Sequence, residues 1–129
     1  HDKTTIDCIF TYKLNELKEN NDVTESSVIM INEGQFFEDL FDFVIEMVEE
    51  YSKTVYVCGL DSDFQRKKFG HLLDLVPYSD KIVKLTSLCM NCKDGTKAIF
   101  SKRLTNSESQ IVIGSDNYIP LCRKCYLTL

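Results

Sequence analysis

The stretch Val28-Ile29-Met30-Ile31-Asn32-Glu33-Gly34-Gln35-Phe36-Phe37 decides how this chain is read. Its apolar start, Val28 to Ile31, predicts a short strand covered on both faces, because no polar residue alternates with the apolar ones. Ligands of open α/β sheets bind at the carboxyl ends of strands, which makes Asn32 and Glu33 candidates for chemistry. The alternative is that these two residues only cap the helix that follows.

The flanking residues predict an alternation of helices and strands. Phe36–Tyr51 has helical spacing, with a predicted buried face of Phe37, Leu40, Phe41, Val44, Val48 and Tyr51. Thr54–Leu60 predicts a second strand, and strand–helix–strand at this spacing indicates a parallel βαβ unit. The remaining predicted elements are strands at Thr5–Phe10 and Lys81–Leu88, short helices at Tyr12–Asn20 and Phe69–Leu75, a polar loop at Asp61–Lys68, and a hairpin of Lys97–Leu104 with Gln110–Gly114.

The composition is typical of one globular domain, with 129 residues, 43% of them hydrophobic and 27% charged. No apolar run reaches the ~18 residues of a membrane helix, and the first residues lack the pattern of a secretory leader. A net charge of −5 disfavours a broad nucleic-acid surface. We therefore expect neither a membrane nor a nucleic-acid partner, although Arg66-Lys67-Lys68 and Lys102-Arg103 are either phosphate contacts or solvated loops.

Four of the six cysteines form two Cys-x-x-Cys pairs, Cys89 with Cys92 and Cys122 with Cys125. In a reducing compartment this spacing indicates metal binding rather than disulfides. Four thiolates fill the tetrahedral shell of zinc and leave no open position, so the predicted zinc is structural. Two reduced or redox-active thiol pairs are the alternative. Cys8 and Cys58 lie in apolar runs and are expected to be buried.

Glu33 is a candidate general base, since a carboxylate at a strand end can take a proton from a substrate hydroxyl. Asn32 stands where a Walker-B-like strand usually places an aspartate that faces magnesium; its amide oxygen is a weaker ligand. A phosphate-binding loop, G-x-x-x-x-G-K-[ST], is missing, because none of the five glycines is followed by lysine. The residues of this chain therefore supply the strand-end amide and carboxylate of a nucleotide site but not its phosphate-binding loop.

Several segments, taken together and in order, are specific. They are Val28–Phe37, Lys53–Gly70, Leu75–Pro77, Val83–Thr86 with Cys89–Cys92, Ser101–Leu104, and Tyr118 leading to Cys122–Tyr126. This ordered set closely resembles the zinc-containing type II thymidine kinases, of the cytosolic cellular and poxviral kind. The resemblance covers nearly the whole chain.

The resemblance implies an α/β fold: a parallel P-loop (RecA-like) kinase sheet with helices on both faces, plus a small zinc-ribbon or lasso lobe. Its implied division is residues 1–88 for the kinase part and 89–129 for the zinc-binding lasso. The implied activity is ATP-dependent phosphorylation of the 5′-hydroxyl of thymidine or deoxyuridine, giving dTMP and ADP for DNA precursor synthesis. A cytoplasmic homotetramer inhibited by dTTP is also implied.

Residue roles follow from the resemblance. Glu33 is the implied catalytic base, and Asn32, Glu33, Gly34 and Gln35 face ATP and Mg²⁺. The implied nucleoside-binding residues are Phe36, Leu60, Phe64, Phe69, Ser109, Gln110, Ile111, Val112, Ile113 and Tyr118. Cys89, Cys92, Cys122 and Cys125 hold structural Zn²⁺ and anchor the lasso. Ordinary core packing is the alternative for Phe36, Phe64 and Phe69.

The chain departs from the family pattern at identifiable positions. Asn32 replaces the usual aspartate, Ile113 replaces a usual glycine, and extra residues lie between Cys92 and Ser101. The family's P-loop half is expected upstream of His1. A non-catalytic zinc-ribbon module that binds nucleosides or regulates is the alternative function if the polypeptide begins at His1, and nucleic-acid binding by the zinc lobe is a third that the net charge disfavours.

Overall fold

A computed structural model describes residues 5–112, 114 and 117–128. They form a mixed α/β structure that divides into two compact units. The first unit comprises residues 1–59 and 70–75, and the second comprises residues 60–69 and 76–129. The second unit is thus larger than the predicted 89–129 lobe, because it also includes the loop after the second strand. No helix in the described part of the chain has the length and apolar character needed to cross a membrane.

The first unit is built on two parallel strands, β1 (Val28–Ile31) and β2 (Thr54–Val57), which pair from Val28 with Thr54 to Ile31 with Val57. The predicted parallel βαβ unit is therefore confirmed. The helical segments of the first unit are a 3-10 turn at Leu14–Leu17, α1 at Asn21–Glu25, a 3-10 turn at Gly34–Phe36, α2 at Leu40–Ile45 continued by a π-helical turn at Glu46–Glu50, and the start of a 3-10 helix at Leu72–Tyr78.

The helix after β1 begins later than predicted, and only part of the predicted face is buried: Leu40 and Val44 are buried, and Phe37 and Phe41 are partly buried. Gly34–Phe36 forms a separate turn, and Phe37 is extended, so α2 starts at Leu40. The buried side chains are Leu40, Phe43, Val44 and Met47, whereas Val48 and Tyr51 are exposed. The sequence is apolar on more than one side of this helix, so spacing alone did not fix its orientation.

Coverage of β1 on both faces is also a wrong prediction for this chain. Ile31 is buried, but Met30 is 78% exposed and Val28 is 44% exposed. The core lies on one side only, where α2, Leu14, Val23 and Leu75 pack. No described residue buries the side that carries Val28 and Met30.

The second unit contains two small antiparallel pairs and a terminal helix. β3 (Ser87–Leu88) pairs with β4 (Lys97–Ala98), β5 (Phe100–Arg103) pairs with β6 (Tyr118–Leu121), and α3 spans Arg123–Thr128. The predicted hairpin partner of β5 is wrong, because Gln110–Val112 are not a strand and β6 takes that place. β6 contains Pro120, a residue type that is uncommon within strands. It lacks an N–H, but its carbonyl accepts a hydrogen bond from the Met90 N–H at 3.0 Å.

Four further element predictions are wrong. Thr5–Phe10 has no regular structure, and of Lys81–Leu88 only the last two residues form a strand. Both runs are apolar enough for strands, but over most of their length neither pairs with any segment that the structure describes, and an unpaired strand is not stable. The predicted helix at Phe69–Leu75 is a 3-10 helix at Leu72–Tyr78 that includes Pro77, and Tyr12–Asn20 contains only the turn at Leu14–Leu17.

Candidate functional site

The carboxyl ends of β1 and β2 form a tight turn. Beyond the paired residues, the Cys58 N–H donates to the Ile31 carbonyl and the Gly34 N–H donates to the Cys58 carbonyl, both at 2.9 Å. Gly34 is needed here because a Cβ atom would lie 2.7 Å from Cγ1 of Val57. Glu33, which directly precedes Gly34, has a φ of +55°, a left-handed conformation that non-glycine residues rarely adopt. Ser52, Arg66 and Lys93 also have positive φ values, so this conformation is consistent with a functional role for Glu33 but does not single it out.

The side chains at this turn are held by one another. Glu33 is exposed, and its Oε2 accepts a hydrogen bond from Nε2 of the buried Gln35 at 2.6 Å. Asn32 is exposed, and its Oδ1 accepts a hydrogen bond from the Cys58 thiol at 3.0 Å. Both Cys58 and Cys8 are exposed. The prediction that these two cysteines are buried is therefore wrong.

The capping interpretation of Asn32 and Glu33 is not supported. Glu33 precedes the Gly34–Phe36 turn, but its side chain makes no capping hydrogen bond. The residue that precedes α2 is Asp39, not Asn32 or Glu33. The turn therefore presents an amide oxygen and a carboxylate to solvent without using them to end a helix.

The second unit contains a cavity of about 200 Å³. Its walls are formed by Leu60, Ser62, Asp63, Phe64, Phe69, Ser101, Gln110 and Tyr118. The structure thus brings together five of the sequence-predicted residues: Leu60, Phe64, Phe69, Gln110 and Tyr118. Ser109, Ile111 and Val112 belong to the same unit but do not line the cavity, Phe36 is a half-exposed residue of the first unit, and Ile113 lies outside the described residues.

Polar wall residues were missed by the sequence analysis, and Asp63 is the most constrained of them. Its side chain is 7% exposed. Oδ1 accepts hydrogen bonds from the backbone N–H groups of Gln65 at 2.8 Å and Lys67 at 2.9 Å, and Oδ2 accepts one from Nε2 of Gln110 at 2.9 Å. Burial opposes ionisation of this carboxyl, but the hydrogen bonds outweigh it and hold the pKa of Asp63 below its usual value. The available signal was an aspartate two residues before a turn, the pattern of an Asx-turn.

Arg103 is a second missed residue. The sequence analysis placed it in a basic patch that was either solvated or bound to phosphate. Its side chain is instead buried, with 7% exposure, and its guanidinium stacks on the ring of Phe64. The interpretation as a solvated loop is therefore wrong for Arg103.

The four paired cysteines converge, as predicted. Their sulfur atoms all lie within 4.8 Å of one another, with Cys92 Sγ 3.8 Å from Cys122 Sγ and 3.4 Å from Cys125 Sγ. Four sulfurs at about 2.3 Å from a tetrahedral zinc ion are about 3.8 Å apart, so the arrangement fits such an ion. The residues form a ligand set that could hold a metal ion such as zinc.

Polar contacts around the sulfurs shift the thiol pKa values of Cys89 and Cys92 in opposite directions. The Cys122 N–H donates to Cys89 Sγ at 3.3 Å and lowers the pKa of the Cys89 thiol to about 6. The Asn91 side-chain amide donates to Cys125 Sγ at 3.2 Å. Cys92 has the opposite shift: its hydrogen bonds to the thiols of Cys125 and Cys89 raise its pKa to about 12. A bound cation reverses that preference, because metal ligation deprotonates a thiol.

The cysteine cluster is connected to the cavity by α3. Tyr126, next to Cys125, donates its hydroxyl hydrogen to the Phe64 carbonyl at 2.5 Å. The guanidinium of Arg66 lies 4.9 Å from the centroid of the Tyr126 ring. The cysteine-bearing helix therefore fixes the backbone of a residue that lines the cavity.

Comparison with known proteins places the chain. The model of the thymidine kinase family matches residues 1–126. The chain belongs to the thymidine kinase family. It is similar to the thymidine kinase of variola virus, with 45% identity, and to those of vaccinia virus strain Western Reserve and monkeypox virus, each with 44% identity. Each of these alignments covers 98% of this chain and 70% of the viral protein.

The family match includes every segment that carried the resemblance. Asn32, Glu33, the cavity residues and the four cysteines all lie within residues 1–126. The resemblance drawn from the sequence is thereby confirmed. The turn after β1 and the described residues that line the cavity lie inside the matched region.

Proposed function

We propose that this chain is the catalytic part of a thymidine kinase that transfers the γ-phosphoryl group of ATP to the 5′-hydroxyl of thymidine or deoxyuridine. The observation that carries the proposal is the cavity of the second unit: in a member of this family, five predicted nucleoside-binding residues line one cavity. Apolar walls with a few fixed polar groups are typical of a small-molecule site. Leu60, Phe64 and Phe69 supply the apolar surface, and Gln110 and Tyr118 supply polar atoms.

Glu33 is proposed as the general base. It would accept the 5′-hydroxyl proton while that oxygen attacks the γ-phosphorus, the bond to the β–γ bridging oxygen breaks, and ADP leaves. Its left-handed backbone and the hydrogen bond from Gln35 limit the positions that the carboxylate can take. Preorganisation of this kind lowers the cost of aligning a base with its proton.

Asn32, Glu33, Gly34 and Gln35 are proposed to face ATP and its Mg²⁺. Asn32 Oδ1 and the Glu33 carboxylate are exposed oxygen donors, the ligand type that a hard cation prefers. When bound, Mg²⁺ would neutralise charge on the phosphate oxygens. Asn32 is neutral and already accepts a hydrogen bond from Cys58, so its contribution would be weaker than that of the aspartate usual in the family.

The phosphate-binding loop is proposed to lie outside these 129 residues. The sequence contains no glycine followed by lysine, and the viral thymidine kinases named above are longer than this chain. The parallel pair β1–β2 would then be part of a larger P-loop, RecA-like sheet with helices on both faces, and residues 1–88 and 89–129 would be its kinase and lasso parts. A structural zinc ion at the four cysteines, supported by their spacing and convergence, also belongs to the proposal. A cytoplasmic homotetramer and feedback inhibition by dTTP complete it, and these follow from the family resemblance alone.

The test is conversion of thymidine to dTMP by the intact protein with ATP and Mg²⁺, measured by chromatography of the nucleotides. Glu33→Gln keeps the shape and the partner Gln35 but removes the base. Since general-base catalysis typically contributes 10²–10⁴-fold, we expect kcat to fall by at least about 100-fold. Glu38→Gln, at an exposed carboxylate of the same region, is the matched control and should retain kcat. A Glu33→Gln enzyme with a near-normal rate would remove Glu33 from the mechanism.

A second candidate, a non-catalytic nucleoside-binding module, is favoured by one observation: the cavity and the cysteine cluster share the second unit, while these residues lack a phosphate-binding loop. The mass of the purified protein separates the two candidates. A mass near the 14.9 kDa of this chain, with thymidine binding but no ATP consumption, supports the module. A larger mass with thymidine-dependent ATP consumption supports the kinase.

A further inference from the structure

The guanidinium of Arg103 contacts several of the segments that form the cavity wall. Arg103 is the last residue of β5 and pairs in register with Tyr118, the first residue of β6. Nη1 donates hydrogen bonds to the Ser107 carbonyl at 2.9 Å and to the Ser109 carbonyl. Nη2 donates to the Gln110 carbonyl at 2.9 Å and to the Tyr118 hydroxyl.

The same group also stacks on an aromatic side chain of the cavity. The Cζ atom of Arg103 lies 3.7 Å from the centroid of the Phe64 ring and 5.1 Å from that of Tyr118. Phe64, Gln110 and Tyr118 line the cavity, whereas Arg103 does not. Arg103 therefore contacts three wall residues from behind and reaches the cavity only through them.

The segment from Ser107 to Gln110 depends on these contacts. It has no helix or strand, so its carbonyls have no partners in a sheet or helix. Arg103 supplies donors to three of them from one rigid, planar group. A lysine has the charge but neither the planar fork nor the stacking face, and it cannot reproduce this set of contacts.

The hydrogen bond to Tyr118 also fixes a proton. Since the Tyr118 oxygen accepts from Nη2, the phenol's own hydrogen must point away from Arg103. The hydroxyl is left as a donor with a restricted direction, on a side chain that lines the cavity. Orientation of a donor before binding lowers the entropic cost of binding.

We propose that Arg103 is a positioning residue that fixes the cavity wall at Gln110 and Tyr118, and so sets the affinity for the nucleoside without touching it. The proposal rests on the function proposed above. It assigns to Arg103 an effect on nucleoside binding and no direct effect on ATP.

Steady-state kinetics of Arg103→Lys and Arg103→Met in the intact protein test the proposal. We expect KM for thymidine to rise at least tenfold in both variants, with KM for ATP changed less than twofold. Lys102→Met, the preceding residue of β5, removes a positive charge whose side chain points to the opposite face of the strand, and should leave both KM values unchanged. Metal content and thermal unfolding are measured on every variant, and Arg103→Lys keeps the experiment informative if Arg103→Met does not fold.

The outcomes separate this inference from the proposed function. Active wild type with an unchanged thymidine KM in a folded Arg103→Lys enzyme overturns the positioning role alone. An equal rise of both KM values, accompanied by loss of metal, also overturns it, because that pattern indicates general destabilisation. A wild-type protein that neither binds nor phosphorylates thymidine overturns the proposed function, and the inference with it.

Discussion

Asp63 organises the loop that follows β2 because one carboxylate satisfies two backbone N–H groups and a side-chain amide. Its pKa is held below the usual 3.8, so the ionised form is stabilised by folding. The sign follows from linkage: a depressed folded-state pKa contributes stability that is fully present above the unfolded value. That contribution is lost as the pH falls from about 4 through the folded pKa.

We therefore predict that amide-exchange protection of Gln65 and Lys67 is constant from pH 7 to about 4 and falls below it. In Asp63→Asn, protection should already be low at pH 7 and vary little with pH after correction for intrinsic exchange. Asp94→Asn is the control, since Asp94 also has a lowered pKa but bonds to Thr96 in another turn. Loss of Gln65 protection in the Asp94 variant, or full protection in the Asp63 variant, would contradict the local assignment.

The residues that the sequence analysis found and those it missed differ in kind. Glu33 and the cysteines were selected as candidates because a strand end and a paired spacing are local patterns. Leu60, Phe64 and Phe69 were selected through the family resemblance, and they line one cavity. Asp63 and Arg103 were missed because their roles depend on carbonyls and amides that are brought close only by folding, and an isolated acidic or basic residue in a polar stretch is normally solvated.

At the scale of elements, the parallel pair β1–β2 was predicted, but apolar runs that form no strand were predicted as strands as well. β1 and β2 were predicted because each is an apolar run next to a helical pattern. Thr5–Phe10 has a similar composition, but no described segment pairs with it. β6 was missed, and Gln110–Gly114 was predicted as the strand instead. β6 contains Pro120, which cannot donate a backbone hydrogen bond but accepts one through its carbonyl from the Met90 N–H.

Within the first unit, the close packing of Gly70 against the turn after β1 requires a glycine. Its φ is +59°, and a Cβ atom would lie 2.3 Å from the Gln35 carbonyl oxygen. Gly70→Ala should therefore combine backbone strain with displacement of the Gly34–Phe36 turn, at a total cost of about 2–4 kcal/mol. We expect a lower denaturation midpoint and a reduced kcat, because Gln35 holds Glu33.

Gly95→Ala is the matched control for that variant. Gly95 has a φ of +89°, but no atom lies within 4 Å of an added Cβ. It should lose only the conformational term, about 1–2 kcal/mol, and keep kcat. Equal effects of the two substitutions on kcat would show that the close approach to Gln35 is unimportant.

At the scale of the whole molecule, the two units are stabilised by different means. Among its described residues, the first has an apolar core of eight buried side chains that includes Leu40, Phe43 and Met47. In the second, the buried cluster consists of Cys89, Ala98, Leu121, Cys122 and Cys125, so most of its members are potential metal ligands. Such a cluster buries little apolar surface, so we expect a metal ion bound by the four cysteines to supply much of the stability of this unit.

Removal of the metal should therefore unfold the second unit selectively. Structural zinc sites supply about 10–16 kcal/mol of binding free energy, more than the apolar cluster here can replace. After chelation we expect amide-exchange protection to be lost in β5, β6 and α3 and retained in β1, β2 and α2. Thymidine binding should be lost at the same time, because Tyr126 no longer fixes the Phe64 carbonyl once α3 has unfolded.

Cys125→Ser should reproduce these effects and bind no zinc, whereas Cys8→Ser and Cys58→Ser, at exposed thiols, should bind one zinc ion per chain. Uniform loss of protection in both units would show instead that the metal stabilises the molecule as a single cooperative body.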